Sequence, residues 1–76
     1  MNKDKRKRLS RASELLTEAR DIIEEVMNEE QEGFDNMSEG LKASERGQQM
    51  EEAISNMSSA IDSIDEAAEY IDEASM

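Results

Sequence analysis

An all-α antiparallel helical hairpin is the fold that this sequence predicts, and three observations predict it. Apolar residues recur at alternating intervals of three and four in two separate stretches. The chain has no Pro, and its three Gly all lie between those stretches, at Gly33, Gly40 and Gly47. Alternating three-and-four spacing places side chains on one stripe of a helix, while Gly clusters mark the place where a chain can reverse. A 76-residue chain allows one domain, near the size at which a single core is marginal and association often supplies the missing burial.

The elements follow in order. Residues 3–11 hold six Lys/Arg against one Asp, so 1–8 are expected to form a basic N-terminal arm. The first helix is expected over 9–31, with Leu9, Ala12, Leu16, Ala19, Ile23 and Val26 as its stripe and Leu15 and Ile22 as a flanking row. Residues 32–47 form a connecting segment, too long for a tight turn. Within it Phe34, Met37 and Leu41 have one-turn spacing, which predicts a short helix closing the end of the hairpin, capped by Asp35, Asn36 or Ser38. Ser44 is placed to cap the second helix, expected over 48–75. Its stripe is Met50, Ala53, Met57, Ala60, Ile64, Ala67, Ile71 and Ala74, with Ile54, Ile61 and Ala68 flanking. Tyr70 is expected as a half-buried edge residue, and the internal Met27, Met37, Met50 and Met57 as adaptable packing groups.

A two-helix hairpin uses about two apolar rows per helix, and each of these has three. The third row predicts a dimer of hairpins, a four-helix bundle with Leu15, Ile22, Ile54 and Ile61 at the seam between copies, or else a row that receives a helix of a host partner. Chain reversal also lays the Lys3–Arg11 segment beside Asp62, Asp65, Glu66, Glu69, Asp72 and Glu73, so intramolecular charge pairing is expected there. Exposed pairs of this kind contribute roughly 0–1 kcal/mol each.

Charge bounds the partners. The formal net charge is −11, and beyond residue 11 there are 19 acids and three bases. Such a chain repels nucleic acid and anionic lipid and attracts basic protein surfaces. No apolar run follows the basic start, so neither a secretion signal nor a membrane span is expected, and a cytoplasmic setting is. The chain has no His and no Cys, which removes the residues that most often hold transition metals or act as nucleophile or general base. Asp35-x-x-x-Glu39 does not follow the alternating ligand positions of a calcium loop, and Glu24, Glu25, Glu29, Glu30 and Glu32 read as a solvated helix face. No enzyme activity, metal or cofactor is expected.

The connecting segment holds the chain's single Phe, and Phe34, Asp35, Asn36, Ser44, Glu45 and Arg46 are expected to form a polar contact surface there. The words Glu29-Glu30-Gln31-Glu32-Gly33-Phe34-Asp35-Asn36, then Ser44-Glu45-Arg46-Gly47 and Met50-Glu51, resemble a group of short acidic proteins encoded by bacteriophages and prophages. Members of the group often carry a Pro near Ser38, which this chain lacks. The resemblance covers most of the chain and implies a phage-type setting inside a bacterial host, without an activity to carry over.

Together these readings predict a non-catalytic interaction protein, dimeric with itself, whose acidic face at Asp62, Asp65, Glu66, Glu69, Asp72 and Glu73 engages a basic host protein. An inhibitor of host defence is one form of it. A second reading is an oligomer that captures a small anion, such as a nucleotide signal, through Arg46, Ser44 and backbone N–H groups near Gly47. A third is a passive structural or assembly component.

Overall fold

The computed structural model describes all 76 residues, and helix begins at once. Asn2 is extended (φ −80°, ψ 169°), and its side chain accepts a hydrogen bond from the Lys5 N–H at 2.8 Å. That cap starts helix α1, Lys3–Asp35, of 33 residues. The expected arm at 1–8 is therefore helical, not a separate segment. Lys and Arg are good helix formers, Asp4 lies in the first turn where the helix dipole favours an acid, and Asp4 pairs with Arg8 at 3.1 Å. Apolar periodicity alone missed these two turns because they bury nothing.

Asn36 ends α1, its N–H donating to the Glu32 carbonyl and that of Met37 to the Phe34 carbonyl. Ser38 then caps α2, the single turn Glu39–Lys42, and Ser44 caps α3, Glu45–Ala74, of 30 residues. Each Ser is extended and accepts an N–H three residues on, Leu41 for Ser38 and Gly47 for Ser44, both at 3.3 Å. The short helix thus starts later than the Phe34–Met37–Leu41 spacing predicted. Phe34 belongs to the last turn of α1, and Leu41 is exposed. The connection between the long helices is residues 36–44, shorter than the expected 32–47 because both helices run on into it.

The two long helices pack antiparallel as a hairpin of 58 × 15 × 12 Å. Arg20 of α1 meets Asp65 of α3, and Gly33 of α1 meets Met50 of α3, which fixes the register. The inward stripe of α1 is Leu9, Ala12, Leu16, Ala19, Ile23 and Met27, each half-buried, with Met27 in the place expected for Val26. The stripe of α3 carries the predicted three-and-four rows, and Ile61 is the one apolar side chain that is buried, at 7% exposure. Two helices cannot enclose a core between them, so every other apolar group keeps one side in water.

Gly47 is the other buried residue. A Cβ there would overlap the backbone carbonyls of Leu41 and Lys42, so α2 can fold back onto the first turn of α3 only over a residue with no side chain.

Candidate interaction surfaces

The outward side of α3 is acidic along its length. Residues 48–76 carry eight acids and no base, and Asp62, Glu66, Glu69, Asp72 and Glu73 are exposed without an ion pair. Asp65 differs. It accepts from Arg20 through both oxygens, at 2.6 Å from Nε and 3.3 Å from Nη2, while Arg20 Nη1 donates to Glu24 at 2.7 Å. The hydrogen bond and charge of Asp65, with a smaller share from Glu24, push the Arg20 pKa further above its ordinary value, so the fork stays charged. Asp65 therefore ties the helices together, and five of the six expected acidic positions remain open.

Tyr70 lies among these acids. It is 62% exposed, not half-buried, and its hydroxyl donates to Glu66 at 3.4 Å. An aromatic ring flanked by carboxylates can take an Arg or Lys head group by charge and by its π face together. Sequence reasoning passed over it because a residue next to an apolar stripe can turn either way.

The basic segment does not neutralise α3. Arg8 pairs with Asp4 and Arg11 with Glu14, both at 3.1 Å and both within α1, and Lys3, Lys5, Arg6 and Lys7 have no ion pair. The register gives the reason: with Arg20 at the level of Asp65, Arg11 reaches the level of the last turn of α3, and Lys3–Lys7 extends past Ala74.

The hairpin corner collects the expected loop residues, but most are committed to structure. Phe34 is half-buried under the Lys42 ammonium, 5.6 Å from its ring centre. Asp35 accepts from Gln31 at 2.9 Å, and Asn36 terminates α1. The Ser44 hydroxyl donates to the Leu41 carbonyl and accepts from Gly47, whose backbone is covered by α2. Glu45 and Arg46 are left open, with Arg46 over a shallow hollow beside Glu30, Gln49 and Met50. Of the N–H groups that open α3, that of Gly47 is taken by the Ser44 hydroxyl.

Of the four expected seam residues, Leu15 and Ile22 are exposed, whereas Ile61 is buried inside the hairpin and Ile54 half-buried. The four do not form one surface. No group of three or more acids converges to hold a metal ion, and no helix is long and apolar enough to cross a membrane. No protein-family model, curated protein or solved structure matches the chain.

Proposed function

We propose that this protein is a non-catalytic interaction module that acts through the outward face of α3, binding a basic protein surface in the cytoplasm of a bacterial host. The observation that carries the reading is the row Asp62, Glu66, Glu69, Asp72 and Glu73, exposed and unpaired around Tyr70 on one rigid helix. Carboxylates at fixed positions on a helix resemble the regular anionic face of a nucleic acid. A basic protein that normally holds nucleic acid is the partner class whose charge fits. The loop resemblance adds a phage-type accessory role, such as inhibition of a host defence protein. Attraction of this kind gives fast, salt-sensitive association.

The test compares the tagged chain with a variant in which Asp62, Glu66, Glu69, Asp72 and Glu73 become Asn or Gln, in pull-downs from host lysate at low and high salt. Asp65 is left in place to keep the hairpin intact. A basic nucleic-acid-handling protein held by the parent at low salt, and lost both at high salt and in the variant, supports the reading. Equal recovery by parent and variant removes it.

A further inference from the structure

Leu15, Ile22 and Val26 form an apolar edge of α1 that the hairpin leaves unused, at 49%, 62% and 46% exposure. At about 100° per residue, each lies roughly 120–160° around the helix from Arg20. Arg20 marks one margin of the α1–α3 contact through Asp65, so the apolar edge stands at the opposite margin. With Ala12 and Ala19 between and before them, these residues continue a three-and-four spacing from 12 to 26, which is the pattern of a helix-to-helix seam. We propose that this edge is covered by the same edge of a second copy, α1 against α1 in antiparallel orientation about a two-fold axis.

Area and charge select that occupant. A compact monomer of 8.6 kDa exposes about 4,700 Å². This chain exposes 5715 Å², and the excess of about 1,000 Å² compares with the roughly 800 Å² that one partner contributes to a standard interface. Charge then sets the direction. Residues 3–11 hold six bases and one acid, and residues 24–35 hold six acids and no base, with the apolar edge between them. Antiparallel pairing sets each basic end against the partner's acidic stretch, twice over by symmetry. Parallel pairing would stack basic on basic and acidic on acidic. Centring the apolar edge places Leu15 against the partner's Val26, Ala19 against the partner's Ile22, and Arg11 beside the partner's Glu30.

The test uses the full chain. Light scattering up to about 100 μM should give twice the monomer mass. Ile22→Glu, which places a like charge on both sides of the seam, should weaken the dimer about 100-fold with unchanged helical circular dichroism, and Ile22→Ser should weaken it less. Orientation is read from a nitroxide at Ser10→Cys on one copy, mixed with an isotope-labelled second copy. Broadening of labelled resonances around Glu29–Gly33 is the expected result. Three results overturn the proposal: a monomer at every concentration, a dimer indifferent to both Ile22 variants, or broadening around Ser10 itself.

Discussion

The two long helices divide the work of this molecule unequally. Helix α3 turns its isoleucines inward, buries Ile61, and presents a face of one charge sign outward. Helix α1 separates its charges along its length, bases first and acids last, and holds Leu15, Ile22 and Val26 in water. Yet both helices carry the same kind of flanking apolar row. Tertiary placement decides the difference: a row that falls on the α1–α3 margin becomes core, and an identical row on the far margin becomes a surface.

The contrast can be broken most severely at its buried end. Ile61→Ala removes the one buried apolar side chain and should cost about 2–4 kcal/mol in chemical unfolding, where a loss below about 1 kcal/mol would mean that α3 is not the anchored partner. Next is Gly47→Ala, whose new Cβ meets the backbone carbonyls of Leu41 and Lys42. It should cost about 1–3 kcal/mol, with disorder of the corner visible in amide exchange around residues 38–47. Gly33→Ala sharpens the comparison by reversing sign. Gly33 is an exposed helical position whose nearest neighbour for a new methyl is Met50 Cε at an ordinary 3.5 Å, so a gain of about 0.5–1 kcal/mol in thermal unfolding is expected. Asp65→Asn severs the cross-helix fork and should cost about 0.2–1 kcal/mol, less at high salt, because both partners are open to water. The smallest effect is expected on the other margin, where Ile22→Ser, measured at concentrations too low for association, should stay within about 0.5 kcal/mol of the parent.

Much of this was legible in the residues. The three-and-four spacing identified both long helices, the Gly-bearing middle located the reversal, and Ser44 was readable as a cap, with Ser38 one of three candidates beside Asp35 and Asn36, because a hydroxyl ahead of a free N–H satisfies it locally. The first two turns of α1 were not legible as helix, since they follow from the Asn2 cap and from propensity without burial. Phe34 was placed one element too late because one-turn spacing continues across a helix end without marking it. The expected pairing of the basic segment with α3 failed for a reason of register, which spacing within each helix does not contain.

What the sequence determined by itself is everything local: two amphipathic helices, their caps, a reversal between them, and an acidic second half. What only the tertiary structure decided is which side of each stripe faces inward. Leu15, Ile22, Ile54 and Ile61 are equivalent by period, but a two-helix contact is one-sided, and the corner at Gly47 with the Arg20–Asp65 fork sets which side is used. The physical reason is that helical period fixes angles around each axis, while the rotation of one axis against the other is fixed only by contacts between residues far apart in the chain.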